Sequence, residues 1–185
     1  MQIIPQAIPE VLLLVPQVFG DQRGFFVETA RQNLLLQAGI PELIQHNQSR
    51  SRQGVLRGLH YQLVQPQGKL VRCARGSVFD VAVDLRRHSP SFGQWVGAVL
   101  DDANHHQLWV PPGFGHGFLV LSEIADFCYL CSNYYHPQSE RGIAWDDPDL
   151  AIAWPPCGDG VEIQLSSKDL ANPQLRDQPP QDLYD

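Results

Sequence analysis

Short strand-like runs, closely spaced and broken by glycine and proline, restrict this chain more than any other feature. "EVLLLVPQVF", "IQHNQSRS", "GVLRGLHYQL", "GKLVRCARGSVFDVAVDLR", "GQWVGAVLD", "NHHQLWVPPGFGHGFLVLS", "ADFCYLCSNYY" and "AIAW" follow one another with no regular helical runs between them. Several keep a period of two, as a half-buried strand requires. In "KLVRCA", Leu70 and Arg72 face one way while Lys69, Val71 and Cys73 face the other. In "SVFDVAVDLR", Asp80 and Asp84 share a side. The 15 glycines and 15 prolines are spread along the chain, which favours many turns over long helices. The pattern predicts an all-β sandwich or closed barrel rather than a βαβ sheet. One helix is expected, over "VETARQNLLLQAGI" (27–40), with Leu34, Leu35 and Ile40 apolar and Gly39 as its stop signal.

A length of 185 residues suits one domain spanning 1–185. Its polar, proline-bearing end, about 171–185, is expected to drape over the surface or fray. The net charge of −7 argues against general nucleic-acid binding, which needs a basic footprint. It leaves room for a local basic pocket that takes one small anion. The apolar start of the chain is interrupted by Pro5, Pro9 and Pro16 and lacks a basic leader, so no signal peptide is expected. No apolar run reaches the roughly 18 residues of a spanning helix, and no membrane partner is predicted. Cys128 and Cys131 form a lone CxxC without nearby histidine or a βαβ context. They read as reduced, buried thiols of a cytoplasmic protein.

Several stretches carry polar residues that a purely structural β-barrel does not need. "FGDQRGFFVET" (19–29) presents Arg23 in a turn beside Phe25, Phe26 and Glu28, a weak signal alone. In "QHNQSRS", Gln45, Asn47 and Ser49 share one face if the segment is extended. "GVLRGLHYQ" places Arg57 and His60 three positions apart. Strict alternation would put them on opposite faces; a bulge or twist at Gly58 could bring them into one cavity. Lys69 is expected across a hairpin from His60. Arg, His and Lys inside a barrel are costly unless a ligand or counter-charge meets them. In "ADFCYLCSNYYHPQSE", Phe127, Tyr129, Cys131 and Tyr135 would share a face in a regular strand.

"WVPPGFGHGFLVLS" resembles the second motif of the cupin barrels, in which a strand entering the mouth carries an inward histidine, here His116. Metal-binding cupins take further ligands from an earlier HxH…E motif, but here that motif reads His60-Tyr61-Gln62. One inward histidine is too few for a divalent metal, so no metal is predicted and a metal-dependent cupin oxygenase is disfavoured.

Together "DQRGFF", "Q-x-N-x-S-x-S", "GVLRGLHYQ", "GKLVR", "VFDVAVDLR-x-x-SP-x-FG", "PPGFGHGF" and "NYYHPQSE" resemble the dTDP-4-dehydrorhamnose 3,5-epimerase family from about residue 3 to about residue 170. The resemblance implies a double-stranded β-helix, the cupin jelly roll, with one or few short helices, paired as a homodimer. It implies His60 as general base, Asp169 as its carboxylate partner, Tyr129 as general acid and Lys69 at the sugar's keto oxygen. It further implies Arg23, Glu28, Gln45, Asn47, Arg57, His116, Glu140 and Lys168 as contacts to the nucleotide diphosphate or sugar. Phe19 and Tyr135 match aromatics near the nucleotide, Tyr135 stacking on thymine. Two departures are small: His46 stands where many relatives carry Asp, and the 63–68 connection is a residue shorter than in some members.

The implied substrate is dTDP-4-dehydro-6-deoxy-D-glucose, epimerised at C3 and C5 to dTDP-4-dehydro-L-rhamnose. Both carbons flank the C4 ketone, which serves as electron sink, so no cofactor is expected. An imidazole suits proton abstraction near neutral pH, a fixed ammonium suits the developing oxyanion, and a phenol can reprotonate from the other ring face. The alternatives are an epimerase acting at C3 or C5 alone and a non-catalytic sugar-nucleotide-binding cupin.

Overall fold

Alternation of inward and outward side chains resolves into two antiparallel sheets stacked face to face. The computed structural model describes residues 1–185. The strands run β1 (Gln2–Pro5), β2 (Leu12–Val15), β3 (Val18–Asp21), β4 (Gly24–Val27), β5 (Gln45–Arg52), β6 (Leu56–Gln62) and β7 (Lys69–Arg75). They continue with β8 (Ser77–Asp84), β9 (Trp95–Asp101), β10 (Gln107–Val110), β11 (Phe114–Val120), β12 (Ile124–Cys131) and β13 (Glu140–Gly142). One sheet has the order β1-β2-β10-β7-β12-β5 and the other β13-β6-β11-β8-β9. The crossings between sheets make the jelly roll of the cupin class, the expected fold. Strands β3 and β4 pair only with each other, as a hairpin.

The period of two decides what lies between the sheets. On β8, Val78, Asp80 and Ala82 point inward, while Phe79, Val81 and Val83 pack outside. Val71 and Cys73 of β7, Phe118 of β11 and Phe127 of β12 meet Val78 and Ala82 in the central core. At about 25 cal/mol per Å² of apolar surface removed from water, this buried layer is the main force joining the sheets. Two smaller clusters cover the outer faces. Leu14, Leu70 and Trp109 pack under Leu35 and Ile40. Leu59, Tyr61, Val81 and Val83 pack under Ile143, Leu150 and Leu175.

Two expectations change, and the end of the chain takes the draped one of its two expected forms. The helix is α1 (Gln32–Gln37) rather than 27–40, because Val27 is held in the hairpin opposite Val18. Arg31 at its start supplies no side-chain cap, and the turn ends at Gly39 with φ +79°. "AIAW" is not a strand: Ile152 and Trp154 instead pack onto the outer face of the five-stranded sheet. Residues 171–185 are tied down. Leu175 and Gln178 are buried, the Tyr61 hydroxyl donates to the Asp182 carbonyl at 2.6 Å, and the Tyr184 hydroxyl donates to the Gln62 carbonyl at 2.6 Å.

Candidate active site

The first requirement for a site is that Arg57 and His60 face the same way, and β6 meets it by a bulge. His116 of β11 pairs with His60, yet Phe118, two residues on, pairs with Arg57, three residues back. The extra residue on β6 resets the alternation: Leu59 and Tyr61 turn to the outer cluster, and Arg57 and His60 both line the interior. Gly58 has φ +136°, and a Cβ there would stand 2.5 Å from Gly117 Cα. Only glycine fits so close a backbone approach at that angle.

At one end of the sandwich the apolar filling gives way to a cavity of ≈ 340 Å³. The six-stranded sheet contributes Gln45, Asn47, Ser49, Lys69, Phe127 and Tyr129. The facing sheet contributes Arg57, His60, His116, Phe118 and Glu140, with Gln67 and Tyr135 from connecting segments. Lys69 therefore does not face His60 across a hairpin. Its strand β7 bonds to β10 and β12, and β6 bonds to β11 and β13, so the two residues meet from opposite sheets. A second hollow of ≈ 450 Å³ shares Arg57, His60, Tyr135 and Glu140 and adds Lys168 and Asp169. Tyr135 lies beyond the end of β12, so it shares the cavity with Tyr129 without sharing its strand.

His60 Nε2 donates to Asp169 Oδ1 at 2.5 Å. Asp169 is held in turn by the short helix α2 (Ser167–Leu170). Ser166 caps that helix by accepting from the Asp169 N–H, and its hydroxyl donates to Asp169 Oδ2 at 2.8 Å. "S-x-x-D" is thus a cap that fixes both the helix and its carboxylate. Burial opposes the charge on Asp169, but the bonds from His60 and Ser166 hold its pKa below the usual carboxylate value. With Nε2 committed, Nδ1 of His60 is the nitrogen left for proton abstraction.

Burial raises the pKa of the Tyr129 phenol, with Arg57 acting against it, so it stays protonated at neutral pH as a proton donor must. Burial lowers the pKa of the Lys69 ammonium, while Cys131, Asp80 and Glu140 act the other way. Glu140 Oε2 accepts from the Tyr135 hydroxyl at 2.6 Å and from Lys168 Nζ at 2.5 Å. The bond to Glu140, with some burial, pushes Tyr135 up to about 12. Gln45 accepts from the Tyr135 backbone N–H at 2.8 Å and donates to Asn47 at 3.3 Å. Arg57 Nε donates to Ser51 Oγ at 3.1 Å.

Phe19, Arg23 and Glu28 are not brought to this cavity. They lie on or beside the β3–β4 hairpin, where Arg23 pairs with Asp21 at 2.5 Å and Glu28 with Arg31 at 2.7 Å. Gln67, Phe118, Ser166 and Asp80 are contributors that the residue pattern did not single out. The alternation of β8 put Asp80 on one side with Asp84 without saying which side faced inward, and the S-x-x-D spacing was a readable cap signal. Gln67 carried no signal. No group of three or more His, Cys, Asp or Glu side chains is arranged as a metal site.

A family model described as dTDP-4-dehydrorhamnose 3,5-epimerase matches residues 5–177. A dTDP-4-dehydrorhamnose 3,5-epimerase of Pseudomonas aeruginosa is 58% identical over 151 residues, 80% of this chain and 83% of its own length. One from Salmonella typhimurium is 52% identical over 178 residues, 95% of this chain and 96% of its own. Among solved structures, a dTDP-6-deoxy-D-glucose-3,5-epimerase of Legionella pneumophila in complex with dTDP-4-keto-L-rhamnose superposes with a TM-score of 0.95 at 50% identity. That match covers 99% of this chain and 97% of the other.

Proposed function

The chain belongs to the dTDP-4-dehydrorhamnose 3,5-epimerase family, and on that premise we propose how its cavity carries out the reaction. It is a carbohydrate isomerase that converts dTDP-4-dehydro-6-deoxy-D-glucose to dTDP-4-dehydro-L-rhamnose in dTDP-L-rhamnose biosynthesis. Nδ1 of His60 removes the proton from C3 or C5, and Asp169 stabilises the imidazolium that forms, as a carboxylate orients histidine in hydrolase triads. The electron pair moves to the C4 ketone oxygen, where Lys69 meets the enolate charge. Tyr129 delivers a proton to the opposite ring face, inverting the carbon. General acid–base help of this kind is worth roughly 10²–10⁴-fold.

Gln45, Asn47, Arg57, His116 and Lys168 supply donors and positive charge for the diphosphate and sugar, Glu140 supplies an acceptor for sugar hydroxyls, and Tyr135 supplies a ring for thymine. The observation carrying this reading is that His60, Lys69 and Tyr129, from three strands of two sheets, line a single cavity.

We infer a homodimer from the hairpin. Val18, Phe19, Phe25 and Phe26 are all exposed on it, an apolar patch that an isolated chain leaves in water. A second copy that delivers its hairpin to the cavity mouth covers this patch and brings Phe19, Arg23 and Glu28 to the nucleotide. The four unpaired cysteines accord with a cytoplasmic location, and no helix is long and apolar enough to cross a membrane.

Proton NMR of the product formed from dTDP-4-dehydro-6-deoxy-D-glucose in D₂O tests the reaction. Deuterium and inversion at both C3 and C5 are expected. Inversion at one carbon only would reassign the chain to a single-site epimerase, and no exchange at either would leave it a binding protein.

A further inference from the structure

Three carboxylates stand behind the cavity's polar residues, and the mechanism above uses two. Asp169 serves His60, and Glu140 serves Tyr135 and Lys168. The third is Asp80, at the centre of β8, where its neighbours on the same inward face, Val78 and Ala82, are apolar core residues. It is 0% exposed. His116 Nε2 lies 2.8 Å from Asp80 Oδ2, and Asp80 Oδ1 has no hydrogen-bond partner. A packing role does not call for a carboxylate here, since an unpartnered buried oxygen costs about 1–3 kcal/mol.

We propose that Asp80 is a positioning residue of the active site, which holds the His116 imidazole with its proton on Nε2 and so turns Nδ1 to the ligand. The rest follows from hydrogen-bond chemistry. An ionised carboxylate only accepts, so the ring nitrogen facing it must carry hydrogen. His116 is itself buried and lines the cavity, and its ring lies nearly parallel to Phe127 at 17°. The stacking fixes the ring plane and Asp80 fixes its orientation within that plane. Asp80 also answers a charge requirement. Lys69 and Arg57 bring positive charge to the same cavity. Of the groups acting to keep Lys69 charged, Cys131 is pushed by its own burial toward the neutral thiol. That leaves Asp80 and Glu140 as the anions, and Asp80 is the one buried completely. Burial raises the pKa of Asp80 itself, while His116 and Lys69 oppose that rise.

The activity arm of the test rests on the epimerase reading, and the spectroscopic arm does not. In protein labelled with ¹⁵N-histidine, neutral His116 is expected to show its proton on Nε2. In Asp80→Asn the Nε2–H share falls and kcat/KM drops about 10–100-fold, the usual effect of losing a group that orients a ligand-binding histidine. An Nδ1–H tautomer in the wild type overturns the proposal, as does an Asp80→Asn enzyme with an unchanged tautomer or with kcat/KM within twofold of wild type. If Asp80→Asn does not fold, the wild-type spectrum alone decides. A wild-type protein without epimerase activity but with His116 protonated on Nε2 refutes the assigned reaction and leaves the positioning of His116 standing.

Discussion

Replacing Asp169 with asparagine preserves the size of the side chain that His60 touches while removing its charge, and the structure sets how much that should matter. His60 Nε2 lies 2.5 Å from Asp169 Oδ1, which places the charge centres of imidazolium and carboxylate about 4 Å apart. The His60 side chain is 28% exposed and that of Asp169 5%, so an effective dielectric of about 20 applies, and the attraction is about 4 kcal/mol. A general base gains its charge as it takes the substrate proton, so the loss falls on the barrier rather than on substrate binding. At 1.36 kcal/mol per decade, Asp169→Asn should slow proton abstraction by about 10³-fold, with KM little changed. The assay is deuterium incorporation at C3 and C5 in D₂O, followed by NMR, alongside a thermal melt to confirm that α2 and its Ser166 cap survive. An Asp169→Asn enzyme that exchanges within tenfold of the wild-type rate would show that the carboxylate does not stabilise a charged His60, and the dyad argument fails.

Tyr129→Phe should reduce inversion more than exchange, because a proton taken by His60 can return from the side it left; equal loss of both would remove the opposite-face acid. Asp84 is buried and bonded by Arg86, Ser89 and Ser91. Burial opposes these donors, yet they bring its pKa down to about 2 from 3.8. A folded value below the unfolded one stabilises the fold above pH 4, and that stability is lost as pH falls toward 2. Asp84→Asn should therefore cost about 2 kcal/mol at pH 7 in urea unfolding, with the gap to wild type closing below pH 4; a gap of the same size at pH 3 would exclude the carboxylate as its source. Replacing Phe25 and Phe26 together by serine should yield a monomer in sedimentation that retains its melting transition but binds dTDP more weakly. On the inferred homodimer, a variant that sediments as wild type does and keeps its affinity would show that this hairpin is not the interface.

Much of the site was legible because alternation in a strand is a local property. Gln45, Asn47 and Ser49 share the cavity face, as their spacing implied, and Val71 and Cys73 face the core on the same side of β7 as Lys69. The motif order also pointed to His60, Lys69 and Tyr129 before any contact was known. What could not be read was which strands face one another. Lys69 follows His60 closely in sequence, which invites a hairpin, yet the chain crosses to the other sheet between them. The long apolar pattern at 27–40 suggested a helix, but pairing of Val27 with Val18 claims its first turn for the hairpin.

From its residues alone the chain is an all-β sandwich or closed barrel with an arginine, a histidine and a lysine that only a ligand or counter-charge makes worth burying, because side-chain period and charge are written locally. Tertiary structure decided that one glycine approaches Gly117 closely enough to turn Arg57 and His60 to the same side. It also decided that Asp169, 109 positions away, reaches His60, that Asp80 stands behind His116, and that the β3–β4 hairpin stands apart from the cavity of its own chain. Each of these depends on which sheet a strand joins, and that is set by burying apolar faces distant in sequence, a quantity no local pattern contains.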